Sequence, residues 1–256
     1  MSPFDSKRAT PPLKAIIFDA FETLYSNSRE QWRRTFEEVC EDLALLIDPQ
    51  TLRSCWVQFE GEFRRSRTRM DDPASSPPFV TYREAWRSAF EQAFEQLGLN
   101  GDANSAADIA VRNMGLRPPY EDAITTLPIL RKGPWKLGLF SNADDDFLTP
   151  VLKTWPLASF DAILSSESAA VYKPHPGAFQ AVLEKLNVAP QEAVYIGDQL
   201  YDDVHGSKLV GMRAIWLNRT GQTERDASFQ APDFEISSLA ELPQLVESLT
   251  ENGSNA

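Results

Sequence analysis

The sequence predicts an α/β fold: a doubly wound parallel sheet with a bundle of helices inserted after its first strand. Three observations predict it. Short apolar runs alternate with helical patterns, and the first four of these runs each end in polar residues. A long stretch of helical periodicity separates the first run from the second. Continuous apolar runs are typical of strands buried on both faces of a parallel sheet, and strand–helix alternation produces the doubly wound arrangement.

Five apolar runs are the predicted strands, and we expect the first four to be buried on both faces. They are residues 15–18, 137–140, 162–164, 193–196 and 214–217. The polar residues that follow the first four begin at Asp19, Ser141, Ser165 and Asp198. In open α/β sheets ligands bind outside the carboxyl ends of the strands, so these groups should converge at one edge.

Residues 25–117 interrupt the alternation. Apolar side chains recur there at spacings of three and four, first from Trp32 to Leu46 and again from Trp86 to Leu97, as in amphipathic helices. A loop rich in aspartate, serine and proline at 71–78 divides them. We therefore predict a helical bundle over 25–117 and a core made of residues 1–24 and 118–256.

The bulk properties exclude several classes of protein. The chain has 256 residues and a formal net charge of −12, which argues against a nucleic-acid or anionic-membrane partner. No apolar run approaches the ~20 residues of a membrane span, and the first residues do not resemble a signal peptide. Cys40 and Cys55 are predicted to be buried free thiols, which suits the cytoplasm. Oligomeric state stays open.

Asp19 is the predicted centre of a hydrolytic site. A carboxylate at the mouth of the sheet can act as a nucleophile or hold a metal ion. Thr23, four residues on, could orient it through a hydroxyl hydrogen bond. The alternative for this segment alone is an aspartate that caps a turn at the end of a strand, which is common.

Further carboxylates are expected at the end of the fourth strand. Asp198 and Asp203 would crowd against Asp19, and carboxylates repel one another unless a cation or protons intervene. Mg²⁺ is the natural cation for such oxygen ligands. Asp202 is alternatively explained as an N-terminal helix residue favoured by the helix dipole. An ammonium from Lys173, which lies between this strand and the one before it, can neutralise charge at the site.

The four motifs together resemble those of the haloacid dehalogenase superfamily, in the order that the superfamily has them. They are Asp19 to Leu24, Ser141-Asn142, Lys173-Pro174, and Gly197-Asp198 with Asp203. The resemblance implies a Rossmann-like core and a mobile C1-type cap at 25–117. It implies that Asp19 is an aspartyl nucleophile and that Ser141, Asn142 and Lys173 bind a small anionic substrate. It also implies that Mg²⁺ is held by Asp19, Asp198 and the backbone carbonyl of Phe21, with Asp203 orienting the metal shell or Lys173.

Two positions depart from the phosphatase pattern. Phe21 stands where phosphatases of the superfamily have an acid/base aspartate, and Glu22 replaces the usual glycine. An apolar residue at position 21 resembles the haloacid dehalogenases proper, whereas Asp198 with Asp203 resembles the metal-dependent branch. A branch similar to haloacid dehalogenase-like hydrolase domain-containing 3 combines the two features.

We therefore predict a Mg²⁺-dependent phosphatase that acts on a small phosphorylated metabolite through an aspartyl-phosphate on Asp19. The alternatives are a metal-independent 2-haloacid dehalogenase, which Phe21 favours, and a catalytically weak scaffold that binds a partner. The arginine run at 64, 65, 67 and 69 is interpreted as a solvated helix face, with a grip on an anionic substrate as the alternative.

Overall fold

The protein, described here by a computed structural model over residues 11–72 and 75–254, contains a six-stranded parallel sheet. The strand order is β3-β2-β1-β4-β5-β6, and every neighbouring pair is parallel. The strands are β1 (Ala15–Phe18), β2 (Lys136–Ser141), β3 (Ala162–Ser165), β4 (Ala193–Gly197), β5 (Arg213–Leu217) and β6 (Phe234–Ile236). This order is doubly wound, and its switch point lies between β1 and β4, where the carboxyl ends open a crevice.

The sequence prediction is confirmed for five strands, with two differences. β6 was not predicted, because a three-residue strand in which only Ile236 is buried carries too little apolar signal. β3 forms the edge of the sheet, and Ile163 is 41% exposed there, so the expectation of burial on both faces is wrong for this strand. As an edge strand, β3 has a neighbouring strand only on the side of β2.

Between β1 and residue 117, the described part of the chain forms four α-helices. They are α1 (Arg29–Asp42), α2 (Pro49–Ser66), α3 (Tyr82–Leu97) and α4 (Ala103–Met114). Capping boxes at Ser28 and Thr81 satisfy the first amides of α1 and α3. The helices meet in an aromatic cluster in which Trp56 contacts Trp32, with ring centroids 5.3 Å apart, and Phe90, at 5.5 Å. We call α1–α4 the four-helix segment.

The other helices flank the sheet or follow its strand ends. They are α5 (Glu121–Leu130), α6 (Asp145–Thr154), α7 (Ser166–Ala169), α8 (Pro176–Leu186), a π-helical turn (Leu200–His205), α9 (Gly206–Leu209) and α10 (Leu242–Ser254). Cys40 and Cys55 are buried free thiols, as predicted. Of the described helices, none has the length and hydropathy to cross a membrane. The expectation about a signal peptide concerns residues that lie largely outside the described ranges.

A buried carboxylate joins the four-helix segment to the sheet. Asp144, just after β2, accepts hydrogen bonds from the first amides of α3, from Tyr82 N at 2.8 Å and Arg83 N at 2.7 Å. Only 2% of Asp144 is exposed, and burial raises its pKa to about 6 although the two amides act in the opposite direction. Asp144 of the core therefore caps the N-terminus of α3, where the helix dipole favours a negative charge.

Asp144→Asn should change how stability depends on pH. Burial raises the pKa of Asp144 from 3.8 to about 6, so the folded protein holds a proton that the unfolded chain releases between those values. The stability that this proton contributes is complete below pH ~4 and is lost as the pH rises through ~6. One pKa unit corresponds to about 1.4 kcal/mol. The difference in unfolding free energy between wild type and variant should therefore change by about 2 kcal/mol between pH 4.5 and 7.5.

Urea unfolding of both proteins at the two pH values measures this change, with wild type gaining stability relative to the variant at the lower pH. A difference that stays constant with pH would show that Asp144 titrates as it does in water.

Candidate active site

Asp19 lies at the carboxyl end of the central strand, where neighbouring strands direct polar groups towards it. Its Oδ1 atom accepts hydrogen bonds from Ser141 Oγ at 2.9 Å and from Lys173 Nζ at 2.7 Å. Among the described residues, none donates to its Oδ2 atom. One oxygen is thus fixed by two donors, and the other is free to attack a substrate or to bind a cation.

Lys173 connects Asp19 to two further polar side chains. Its buried ammonium donates to Asp19 Oδ1, to Asp203 Oδ1 at 2.6 Å and to Tyr195 OH at 2.9 Å. Burial lowers the pKa of Lys173, but the charges of Asp19 and Asp203 outweigh that effect and hold the pKa well above its usual value. The lysine is therefore a permanent cation beside the predicted nucleophile.

Two other residues fix the position of Lys173. Asn142 pairs with the lysine backbone in both directions, accepting from its N–H at 2.8 Å and donating to its carbonyl at 3.2 Å. Asn142 was predicted to bind substrate. It lines the cavity next to Asp19, but its side-chain amide holds the backbone of Lys173. Tyr195, which was not predicted, donates to Phe140 O at 2.6 Å. A hydroxyl within an otherwise apolar strand was the signal for it.

Three carboxylates could hold a metal ion. One oxygen from each of Asp19, Asp198 and Asp203 lies within 4.8 Å of the others. Burial and the charges of Asp203 and Asp19 raise the pKa of Asp198 well above its usual value, which is the repulsion expected of such a cluster. An all-oxygen donor set of this kind suits Mg²⁺. The Phe21 carbonyl as a further ligand stays a prediction.

Asp203 depends on a glycine at the end of β4. Its Oδ1 atom accepts from Lys173, and its Oδ2 atom accepts from Gln199 N at 2.9 Å. A Cβ atom at Gly197 would lie 2.2 Å from Asp203 Oδ2. Only glycine leaves space for the carboxylate to reach the lysine, which is the orienting role predicted for Asp203.

Thr23 does not make the predicted hydrogen bond to Asp19. Its Oγ1 atom is buried, and no described residue hydrogen-bonds to it. The chain turns back directly after Ala20, whose carbonyl accepts from both Leu24 N and Tyr25 N, at 2.8 and 2.9 Å. This turn buries Thr23 completely, and Ser141 and Lys173 supply the donors to Asp19 instead.

Glu22 keeps the backbone conformation that a glycine favours, with a φ of 65°. This left-handed conformation costs a non-glycine residue about 1–2 kcal/mol. Two hydrogen bonds to its carboxylate offset the cost, one from Asn27 N and one from Tyr120 OH at 2.8 Å. The substitution therefore preserves the tight turn, and both carboxylate oxygens are engaged by the protein.

The site opens into a cavity of about 200 Å³ between the sheet and the four-helix segment. Asp19, Ser141 and Asp198 contribute to its lining on the sheet side. The lining also contains five aromatic residues from both the core and the four-helix segment, which we call the aromatic wall: Phe21, Trp32, Tyr82, Trp86 and Phe147. The Phe21 ring packs against Phe147 at 5.6 Å, so this position adds apolar surface where an acid was expected in a phosphatase.

The arginine run is not a uniformly solvated face. Arg67 is buried; it donates to Tyr82 OH and to Asp202 Oδ2, the latter at 2.8 Å, and its guanidinium lies 4.7 Å from the Tyr172 ring centroid. Asp202, which we explained by a helix dipole, thus forms an ion pair with Arg67, the residue directly after α2. Arg67 follows Phe63 by four residues, so the apolar helix face already pointed to its burial.

The family profile of the haloacid dehalogenase-like hydrolases matches residues 13–211, a span that includes all four motifs. The chain belongs to this family. The predicted recognition and fold are confirmed. The resemblance to the branch of haloacid dehalogenase-like hydrolase domain-containing 3, and the assignment of 25–117 as a C1-type cap, stay predictions.

Relatives of this haloacid dehalogenase-like hydrolase catalyse two kinds of reaction. The present chain is 26% identical to (S)-2-haloacid dehalogenase 1 of Pseudomonas sp. strain CBS-3, over 94% of its own length and 99% of the relative's. It is equally 26% identical to glyceraldehyde 3-phosphate phosphatase of Methanopyrus kandleri, over 94% and 100%. The solved L-2-haloacid dehalogenase of Xanthobacter autotrophicus superposes with a TM-score of 0.73 at 26% identity, covering 92% and 98% of the two chains.

Gly197→Ala should disable the site. Displacing Asp203 removes one anionic partner of Lys173, and a misplacement of about 1 Å can cost ~10²-fold in rate. We expect kcat/KM to fall by about 10²-fold or more, measured with p-nitrophenyl phosphate and 2-chloropropionate. Gly61→Ala on α2 is the control, because its Cβ would approach only the flexible end of Arg65. Unchanged activity in Gly197→Ala would refute the dependence of the lysine on Asp203.

Proposed function

We propose that this hydrolase is a Mg²⁺-dependent phosphatase of small phosphorylated metabolites, with Asp19 as the nucleophile. The observation that carries the proposal is the cluster of Asp19, Asp198 and Asp203, whose oxygens lie within 4.8 Å of one another. A phosphate ester brings more negative charge to this cluster and so needs a cation there.

The Asp19 carboxylate would attack phosphorus in line, forming the aspartyl-phosphate as the bond from phosphorus to the leaving oxygen breaks. Ser141 and Lys173 orient this carboxylate through Oδ1, and the lysine charge stabilises the equatorial phosphate oxygens. Mg²⁺, when bound by Asp19 and Asp198, supplies charge neutralisation to the phosphoryl group. Water then attacks phosphorus, which releases inorganic phosphate and restores the Asp19 carboxylate.

The leaving oxygen must receive a proton without help from position 21. Phe21 belongs to the aromatic wall, and both oxygens of Glu22 accept hydrogen bonds from the protein. General acid catalysis is typically worth ~10²–10⁴-fold, so a water donor makes the rate depend steeply on the leaving group. Substrates with stable leaving groups should be preferred.

A 2-haloacid dehalogenase is the second candidate, favoured by the Phe21 wall and by the dehalogenases among the relatives. Asp19 would attack the carbon that bears the halogen, and the halide would leave with the bonding electrons. Water would then attack the Asp19 carboxyl carbon of the ester and release the hydroxy acid. No proton donor for the leaving group is required.

Metal dependence separates the two candidates. For a phosphatase, phosphate release from a panel of phosphate esters should need Mg²⁺, and Asp198→Asn should lower kcat/KM by about 10²-fold or more. For a dehalogenase, halide release from 2-chloropropionate should continue in EDTA and survive Asp198→Asn. Asp19→Asn is the control that must abolish either reaction. Phosphate release that persists in EDTA, or in Asp19→Asn, would refute the proposed function.

Phe21→Asp tests the missing acid directly. An aspartate two residues after the nucleophile should raise kcat/KM for ethyl phosphate by about 10²-fold relative to p-nitrophenyl phosphate, whose leaving group needs no proton. Initial rates for the two esters at saturating Mg²⁺ give this ratio, and Phe21→Asn is the matched control of similar size. A ratio equal in both variants would mean that proton transfer does not limit the reaction.

A further inference from the structure

Asp198 is held differently from the two other carboxylates of the cluster. Asp19 and Asp203 each accept a hydrogen bond from Lys173, at 2.7 and 2.6 Å. Among the described residues, the only group that donates to the Asp198 carboxylate is the side chain of Gln199, which is exposed. The position of the Asp198 carboxylate therefore depends mainly on how its backbone is held.

The indole of Trp216 holds that backbone. Gly197 and Trp216 are the last pair in the register of β4 and β5, and Asp198 is the first residue beyond β4. At this point the Trp216 Nε1 atom donates to the Asp198 carbonyl at 2.9 Å. A peptide group is planar, so this bond fixes the plane that follows the Asp198 Cα atom, while the strand fixes the plane that precedes it. The two planes together determine the direction in which the aspartate side chain leaves the backbone.

The Trp216 ring is itself fixed by its surroundings. Only 1% of the residue is exposed, and it belongs to a small buried cluster with Val204 and Ala214. The Arg225 guanidinium lies 5.0 Å from the ring centroid and forms an ion pair with Glu235 of β6. A ring that is packed on several sides directs its N–H one way, so the donor is preorganised for the Asp198 carbonyl.

We propose that Trp216 is a positioning residue for Asp198, and that its indole N–H contributes to the affinity of the site for a divalent cation. The proposal rests on the proposed function, in which Asp198 is a ligand of Mg²⁺. Loss of a group that orients a metal ligand typically lowers metal affinity by about 10–100-fold. A buried indole also needs an acceptor for its own N–H. If the bond did no more than that, its loss would lower stability and leave the affinity for the cation unchanged.

Binding of Mn²⁺ to the folded protein tests the proposal without turnover. Mn²⁺ accepts the same oxygen ligands as Mg²⁺, and the EPR signal of the free ion gives its Kd. Asp198→Asn, which removes the ligand itself, identifies the binding event that belongs to this site. Trp216→Phe removes the indole donor and should raise the Kd of that event by about 10-fold or more. Trp135→Phe is the matched control, because it removes an indole N–H that donates to Thr250 Oγ1 outside the site, and it should leave the Kd unchanged.

Replacing Trp216 with benzothienylalanine keeps the bicyclic ring and removes only the N–H, so it separates the hydrogen bond from packing. The Kd of Mn²⁺ should rise in this protein as it does in Trp216→Phe, and this protein decides the outcome should Trp216→Phe fail to fold. The proposal is overturned if the benzothienylalanine protein binds Mn²⁺ as tightly as the wild type does. Failure of the phosphatase function would be seen separately, as absence of Mg²⁺-dependent phosphate release by the wild type.

Discussion

The buried ammonium of Lys173 is the interaction on which the rest of the site depends. It neutralises Asp19 from β1 and Asp203 from the turn after β4, and it is held by Asn142 at the end of β2 and by Tyr195 within β4. Removing one partner from a buried ion pair costs about 3–5 kcal/mol, because the other charge is left uncompensated. Three strand ends must therefore be in register before the charges can be buried together. The site is therefore complete only when the sheet is formed.

The four-helix segment is attached to this site through charges of the core. Asp144 caps α3, and Asp202 pairs with Arg67, the residue directly after α2, while also accepting from Asn142 at 3.3 Å. Asn142 in turn holds the Lys173 backbone, so a path of polar contacts runs from α2 to the lysine. The aromatic wall is consequently placed over Asp19 by groups that are themselves part of the site or adjacent to it. A ligand that contacts both sides would add to an attachment that already exists.

The sequence was sufficient to predict the sheet and the convergence of four residues, Asp19, Ser141, Lys173 and Asp198. The reason is that the carboxyl ends of parallel strands lie at the same edge of a sheet, independently of how the strands are connected. The sequence was insufficient wherever a side chain's partner depends on the path of a loop or on helix packing. The Thr23 hydroxyl has no hydrogen-bond partner among the described residues, because the chain turns at Ala20. Arg67 and Asp202 lie 135 residues apart, and no local pattern links them. The four-residue step from Phe63 to Arg67 indicated burial but not the partner.

The proposed phosphatase function reconciles Phe21 with Asp198 through charge. Three carboxylates beside the ammonium of Lys173 leave an excess of negative charge, which would repel a phosphate ester and which contributes to the raised pKa of Asp198. Under the proposed function, a divalent cation held by Asp19 and Asp198 would offset both effects. In that proposal Phe21 restricts the choice of leaving group and does not decide whether a phosphate ester or a carbon–halogen bond is cleaved.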